Sequence, residues 1–439
     1  MELEWWAALL ILFGALMIVF LAGMPVAFGF MLVNVIGLVI VFEGIRGLSL
    51  IAPSAATSVA TFGLTPLPMF VFMGELLARS GIATLTLDAV DKWIGRVPGR
   101  LSVVTVTGGS VFSAMSGSSL ATTALLGTTL QPEMEKRGYK PQMTIAAVMG
   151  AAALDPLIPP SILAVLLAVQ AEVSVGALLL MGTVAGVVMT VVLNSYFIVR
   201  AALQPSLAPA YEMPPISMRE RIFALRHVVL VAVLMFVVLG LIMTGTATPS
   251  ESAALGAVAS LIATIVYRRF TFSLFWTVVK STATTSGMLL VIFVGSTAYS
   301  QLLAASGAGS GFVEWTSGLP LDPAVTALAM IVVVFILGLF IDAISIMLIT
   351  VPLFMPVIAH LGLEPLWFTL LVLMCLEIGA MTPPMGLQLF VLKGVRPDLD
   401  MGVIFRSVWP VVVLMWIGIL IFWAFPDLGF ILVPERLGG

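Results

Sequence analysis

Hydrophobic residues run along this chain in long unbroken stretches rather than at helical or alternating spacing. A helix of ~20 apolar residues, rising ~1.5 Å per residue, spans the ~30 Å bilayer core. On that measure the pattern predicts ten crossings, at about 6–22, 25–43, 66–80, 141–170, 175–199, 227–245, 251–267, 284–304, 366–392 and 408–427. Two further apolar stretches, 101–130 and 323–357, are interrupted near their middles, by Ser116-Gly117-Ser118-Ser119 and around Gly338 to Asp342. The first limb of the earlier stretch, 101–115, reaches only about 22 Å as a helix. It is too short to cross, so both stretches are predicted to enter and return on one side as re-entrant hairpins. The runs lack the alternation of an outer-membrane barrel.

Composition agrees with this pattern. Apolar residues make up 61% of the 439 and charged residues 9%, against roughly 25% charged in a soluble domain. That excludes a soluble enzyme, a disordered chain and a nucleic-acid binder with a basic face. A net charge of −3 points to no charged partner. The lone Cys375 excludes an internal disulfide and a cysteine metal site, and its apolar run predicts core packing. The opening Met1-Glu2-Leu3-Glu4 lacks the basic region of a signal peptide, so the first apolar segment is expected to remain as a helix. Trp5 and Trp6 stand where an interfacial aromatic belt is expected.

Positive charge tests the topology independently. With both termini outside, ten crossings and two re-entrant stretches, 17 of the 19 Lys and Arg face the cytoplasm and only Arg46 and Arg436 face out. That is a strong positive-inside bias. Basic flanks place the hairpin 101–130 on the cytoplasmic side. The absence of Lys and Arg around 323–357 places the other outside.

The chain also repeats. Glu75-Leu76-Leu77-Ala78-Arg79-Ser80-Gly81 returns as Gln301-Leu302-Leu303-Ala304-Ala305-Ser306-Gly307, Pro159-Pro160 as Pro383-Pro384, and Pro98 as Pro320, at spacings of 226, 224 and 222. Each half reads as three crossings, an amphipathic connector, a hairpin, a Pro-Pro-interrupted crossing and a final crossing. An odd number of crossings per half gives the halves opposite orientation, the inverted repeat of many secondary transporters. The predicted fold is therefore an all-α polytopic membrane protein with two re-entrant hairpins and two discontinuous helices. Its first repeat is 1–202, a cytoplasmic linker is 203–225, and its second repeat is 226–439. The segments 6–80 and 227–304 form most of a scaffold, with arms at 83–97 and 308–318.

Two prolines in succession remove two backbone donors and disfavour helix before them. Both Asp155-Pro156-Leu157-Ile158-Pro159-Pro160-Ser161 and Glu377 to Gly386 should therefore unwind at membrane depth. Unwound backbone is tolerated there only where protein, water or a ligand satisfies it. Its free carbonyls suit a hard cation such as Na⁺, and half-helix N-termini suit an anion. A plain proline kink is the alternative reading, and two breaks at matching places favour a site. The tip Ser116 to Ser119 serves ligation or close helix packing, with Thr122 and Thr123 as further candidates. Asp155, Asp342 and Glu377 lie at membrane depth, either coupling ions or protons or capping free amides. Glu251, in Thr248-Pro249-Ser250-Glu251, reads as a helix cap. His227 and His360 lie in connectors without metal-ligand company. Nothing in the sequence resembles a nucleotide-binding loop, a catalytic triad or a zinc spacing, so an ion gradient is the expected energy source and the chain is not expected to be an enzyme.

Three runs carry a resemblance: Phe112-Ser113-Ala114-Met115-Ser116-Gly117-Ser118-Ser119, Gln131-Pro132-Glu133-Met134-Glu135-Lys136-Arg137-Gly138-Tyr139, and Leu157-Ile158-Pro159-Pro160-Ser161. Thr248 to Ala254, Gly338 to Asp342 and Thr382-Pro383-Pro384-Met385-Gly386 extend it over nearly the whole chain. The chain resembles the large membrane subunit of tripartite ATP-independent periplasmic (TRAP) transporters. The resemblance implies an elevator-type carrier for Na⁺-coupled import of organic acids across the bacterial inner membrane. It also implies two partners, a small membrane subunit on another chain and a periplasmic substrate-binding protein. The sodium sites it implies fall on Ser116, Gly117, Ser118, Ser119, Asp155, Ile158 and Pro160, and on Gly338, Asp342, Gly379, Thr382 and Met385. Many relatives look glycine-like where this chain has Asp155. Substrate is expected between the tips, at Ser118, Ser119, Pro159, Ser161, Thr382 and Pro384. A stand-alone ion-coupled carboxylate or anion carrier shares the architecture and is the competing reading.

Overall fold

The computed structural model describes residues 4–42, 44, 49, 51–209 and 217–434, and regular structure among them is helical. The first half contains α1 (Trp5–Leu21), α2 (Val26–Val41), α3 (Ile51–Val59), α4 (Pro66–Arg79), α5 (Ile82–Trp93), α6 (Arg100–Ser116), α7 (Ser119–Thr128), α8 (Leu130–Lys136), α9 (Pro141–Ala152), α10 (Ile162–Gln170) and α11 (Val175–Leu203). The second contains α12 (Met218–Thr244), α13 (Pro249–Val266), α14 (Phe272–Ala305), α15 (Ala308–Ser317), α16 (Pro323–Gly338), α17 (Ala343–His360), α18 (Pro365–Ala380), α19 (Leu387–Val395), α20 (Met401–Ala424) and the short α21 (Asp427–Phe430). Arg46, Arg436, the first three residues and part of the linker lie outside the described residues.

Six of these helices, α11, α12, α13, α14, α17 and α20, are each long and apolar enough to cross a membrane. The bent pairs α3–α4 and α9–α10 raise the number to eight, while α1, α2, α16 and α18 are apolar but shorter. So α17, expected as a hairpin limb, has spanning length by itself. Hairpin 1 folds back as expected. Ser113 Oγ lies 2.9 Å from Thr122 Oγ1, and a Cβ on Gly109 would sit 2.8 Å from Leu126 Cδ1. Four residues back along α6 meet four residues forward along α7, which makes the limbs antiparallel.

Three boundaries differ from the sequence reading. Helix α3 was not expected, because Ser54, Thr57 and Ser58 dilute its apolar character. Two of these hydroxyls are absorbed locally, Thr57 donating to Pro53 O and Ser58 to Ser54 O, both at 2.6 Å. The chain then bends by 51° into α4. The corresponding stretch of the second half is the single 34-residue α14, longer than the expected 284–304. Helix α12 begins inside the expected linker, where Ser217 and Glu220 form a capping box. His227 therefore lies on a helix rather than in a connector, and His360 is the last residue of α17.

The repeated heptapeptides fold alike. Ser80 Oγ donates to Leu77 O at 3.0 Å and Ser306 Oγ to Leu303 O at 3.1 Å. Gly81 and Gly307 then start α5 and α15 with left-handed φ of 75° and 71°. The Pro159-Pro160 and Pro383-Pro384 bonds are both cis. Packing repeats too. Helix α1 packs on α15 and α12 on α5; α2 packs on α14 and α13 on α4. Hairpin limb α7 packs on α19 and α17 on α10. Each half thus lays its first two helices on the arm and third helix of the other. At the centre, every residue from Leu366 to Gly379 is buried, as is every residue from Met143 to Ala152. The outer helices show large apolar residues such as Leu10, Ile18, Phe28 and Phe236 on their exposed faces, the arrangement expected where lipid is the solvent.

Candidate functional site

The first break lies between α9 and α10, where Asp155–Leu157 form a single 3-10 turn. Ser161 caps α10 by accepting Ala164 N–H at 3.1 Å. The tip of hairpin 1 turns at Gly117, whose φ of 60° is left-handed, a region a side chain would disfavour. Ser118 then caps α7 by accepting Ala121 N–H at 3.3 Å. A Cβ on Gly117 would lie 3.4 Å from Ile162 Cδ1 and 3.8 Å from Pro160 O. The starts of α7 and α10 therefore lie side by side, both capped by neutral serines. Ser116 Oγ lies 3.5 Å from Ser118 O and 3.4 Å from Thr122 Oγ1. Thr122 thus joins the tip, while Thr123 donates back to Ser119 O along its own helix at 2.9 Å.

Two buried acids hold this tip. The Asp155 carboxyl lies against the backbone N–H groups of Ser118 and Ser119, and its Oδ1 has no hydrogen-bond partner. Ser119 Oγ donates to Glu377 Oε1 at 3.3 Å. Gln388 Nε2 donates to Glu377 Oε2 at 2.5 Å, and Gln388 Oε1 is unpartnered. Asp155 and Glu377 are electrostatic neighbours, and among the described residues no Lys, Arg or His acts on either.

The second break differs. Gly338 at the end of α16 and Gly379 in α18 touch backbone to backbone, each placing its imagined Cβ 2.6–2.7 Å from the other's Cα. Met385 N–H donates to Leu339 O at 3.2 Å, tying the unwound segment to the tip of hairpin 2. Thr382 Oγ1 donates to Ile378 O at 2.5 Å and is buried. Asp342 caps α17: its Oδ1 accepts Ser345 N–H at 3.0 Å and its Oδ2 accepts the Ser345 hydroxyl. The capping role accounts for both of its oxygens. Glu251 likewise completes a capping box with Thr248. Among the described residues no group of three His, Cys, Asp or Glu side chains could hold a metal ion. Cys375 is buried and donates to Ile331 O at 3.3 Å.

Residues 13–428 match the family described as the tripartite ATP-independent periplasmic transporter, DctM component. The chain belongs to this family. It is 30% identical over 380 residues to the C4-dicarboxylate TRAP transporter large permease protein DctM of Pseudomonas aeruginosa, covering 86% of this chain and 87% of that one. It is 29% identical to the sialic acid TRAP transporter large permease protein SiaM of Vibrio cholerae, covering 98% of each. In fold it is similar to the YdaH transporter of Alcanivorax borkumensis, with a TM-score of 0.60 at 17% identity over 89% of this chain and 91% of that one. These relatives are permeases, not enzymes. Large subunits of this family are multi-pass membrane proteins that work with a small membrane subunit and a periplasmic binding protein, and the apolar helices of this chain fit that description. One relative, the isethionate TRAP transporter permease protein DctMQ of Oleidesulfovibrio alaskensis, is longer, and this chain spans 64% of it.

Hairpin 1 thus gathers Ser116 to Ser119, Asp155, Pro160 and Ser161. Hairpin 2 gathers Gly338, Gly379 and Met385, and Thr382 lies within the second break. Ile158 points its side chain toward Gly186 of α11, 2.8 Å from that glycine's imagined Cβ. Pro384 and Met385 lie within the same break and are exposed. The sequence reading named Glu377 without placing it among the ligands, and it missed Gln388. A lone amide in the apolar run Leu387 to Leu392 is the signal that could have found it.

Proposed function

We propose that the chain is the large transmembrane subunit of a Na⁺-gradient-driven importer of organic acids in the bacterial inner membrane. A periplasmic binding protein delivers the substrate, a small membrane subunit completes the assembly, and both termini lie on the periplasmic side. The observation that carries the sodium reading is the Asp155–Glu377 pair, buried without a basic partner beside an unpartnered Asp155 Oδ1. An ionised carboxylate taken out of water costs several kcal/mol unless positive charge compensates it. The surrounding donors are hydroxyl, carboxyl and carbonyl oxygens, which fit a hard cation. Ser116, Gly117, Ser118, Ser119, Asp155, Ile158 and Pro160 would hold one Na⁺, and Gly338, Gly379, Thr382 and Met385 a second. Bound Na⁺ supplies the positive charge this neighbourhood lacks. The N-terminus of α10, capped by the neutral Ser161, would orient a substrate carboxylate through its free N–H groups. Asp155 already lies against the start of α7 and Asp342 against the start of α17, so α10 is the end left for that anion. The contacts of α7 with α19 and of α17 with α10 join both hairpins and both broken helices into one body, as an elevator movement requires. The names of two relatives support the substrate class, a C4-dicarboxylate and sialic acid.

The test is the melting temperature of the purified protein in NaCl and in KCl at equal ionic strength. A ligand of the native state stabilises it by mass action. A saturable, Na⁺-specific rise of about 2–5 °C is expected, and Ser118→Trp or Thr382→Trp should remove part of it. Identical curves in the two salts would sink the assignment of sodium sites to this chain.

A further inference from the structure

The two halves share the packing pairs given above, yet they meet their hairpins differently: α4 packs on α6, whereas α14 packs on α17. Scaffold helix α4 meets the end of α6 at Gly74. A Cβ there would lie 3.0 Å from Ser116 O and 3.1 Å from Met115 O. Both neighbours are backbone, with no rotamer to yield, so a side chain at residue 74 would push the tip of hairpin 1 off α4 by a few tenths of an ångström. By the spacing of 226, the counterpart of Gly74 is Ser300 on α14. Ser300 does not carry a hairpin tip. It lines a cavity of about 910 Å³ that parts α3 and α14 from α17, with Thr57, Thr297, Val351 and Met355 also on its wall. Helix α14 instead reaches hairpin 2 farther along, where Ser296 Oγ donates to Leu348 O at 2.9 Å.

A pseudo-symmetric molecule that makes a contact on one side and leaves its counterpart open is caught in one of two states. Exchanging the roles of the repeats generates the other. We propose that Gly74 and Ser300 are matching seats for the two hairpin tips, occupied one at a time, and that the cavity beside Ser300 is the empty seat of hairpin 2. In the second state the tip around Leu339 and Phe340 reaches α14 at Ser300, the cavity closes, and the tip of hairpin 1 leaves Gly74. Phe340 is exposed at the tip, so that face of the tip is free to take a new neighbour. The inference rests on the reading of the chain as a carrier whose hairpins move against a scaffold. It adds where each hairpin stops.

The experiment is a disulfide trap in native membranes. Thr297→Cys and Phe340→Cys are introduced together, with the buried Cys375 as the only native thiol. A mild oxidant is added and the joined peptides are quantified by mass spectrometry. The pair should join. Gly74→Ala, which crowds the present seat, should raise the yield at least threefold by a shift of population. Ser300→Phe fills open space without moving backbone and should lower the yield at least threefold. Gly287→Ala, where an added Cβ meets nothing within 4 Å, should leave it unchanged. Absence of the disulfide with Gly74 and Ser300 intact would overturn the proposal. So would a yield that neither Gly74→Ala raises nor Ser300→Phe lowers. If Gly74→Ala does not accumulate, the Ser300→Phe arm decides alone. The trap uses neither ion nor substrate. A chain that joins as expected but melts identically in Na⁺ and K⁺ refutes the sodium reading and leaves the seats standing; the reverse result refutes the seats.

Discussion

At the scale of single residues, the second break depends on two glycines and the first on two acids. Gly338 and Gly379 approach within the reach of a methyl group, so Gly379→Ala must push two backbones apart. Overpacking of this kind costs about 1–3 kcal/mol. Thermal unfolding of Gly379→Ala should show the loss, and Gly287→Ala, in open space, should melt like the parent. Glu377→Gln keeps the volume and the hydrogen-bonding reach toward Ser119 and Gln388 while removing the charge. It should leave melting in KCl unchanged or higher and shrink the Na⁺-specific rise, because the demand for positive charge falls. A full sodium response in Glu377→Gln would remove Glu377 from the site. Asp155 and Glu377 are conspicuous in the sequence as lone acids in apolar runs. Their meeting across a hairpin tip is not, since nothing local records that Ser119 reaches between them.

At the scale of elements, an ion-pair link ties the helix after hairpin 1 to the second broken helix. Arg396, just past α19, donates to Glu135 on α8 at 2.8 Å and to Asp398 at 2.6 Å. Arg396 is largely buried, so Arg396→Ala should cost about 1–2 kcal/mol through lost charged hydrogen bonds. Faster hydrogen exchange in α8 would register it. The Arg396 hydrogen bond holds the Asp398 carboxyl down at about 2. A depressed carboxyl stabilises the folded state above its unfolded value of about 3.9, and that stabilisation fades as pH falls from about 4 toward 2. Asp398→Asn should flatten the acid limb of melting temperature against pH in that window. An unchanged limb would show that Asp398 contributes nothing there. Element type was legible wherever apolar runs were long, because a helix is the only local way to satisfy backbone in lipid. It was illegible at α3, where Thr57 and Ser58 hide their polarity by donating to backbone carbonyls of the preceding turn, and at the start of α12.

At the scale of the whole molecule, the halves interlock. Asn34 on α2 donates to Gly295 O on α14 at 2.7 Å, and Trp93 on α5 donates to Arg221 O on α12 at 2.9 Å. Each half leaves its arm and third helix uncovered without the other. Residues 1–209 and 210–439 produced as separate chains should accumulate in membranes only when made together. Stable accumulation of either alone would contradict the interlocked fold. The sequence by itself determined the helical class, the two Pro-Pro breaks, the fold-back of hairpin 1 and the doubling, because each rests on local chemistry: apolar length, paired prolines, a small polar tip and a repeated heptapeptide. Tertiary structure alone decided that α14 runs unbroken where α3 and α4 bend, that Gln388 and Glu377 join the hairpin 1 tip, that Asp342 spends both oxygens on a cap, and that Gly74 carries a tip while Ser300 faces empty space. The meeting of Ser119 with Glu377 joins surfaces 258 residues apart, and the seating of Gly74 joins two separate helices; no local pattern encodes such a meeting, whereas the Asp342 cap is a local choice between two readings the sequence had left open.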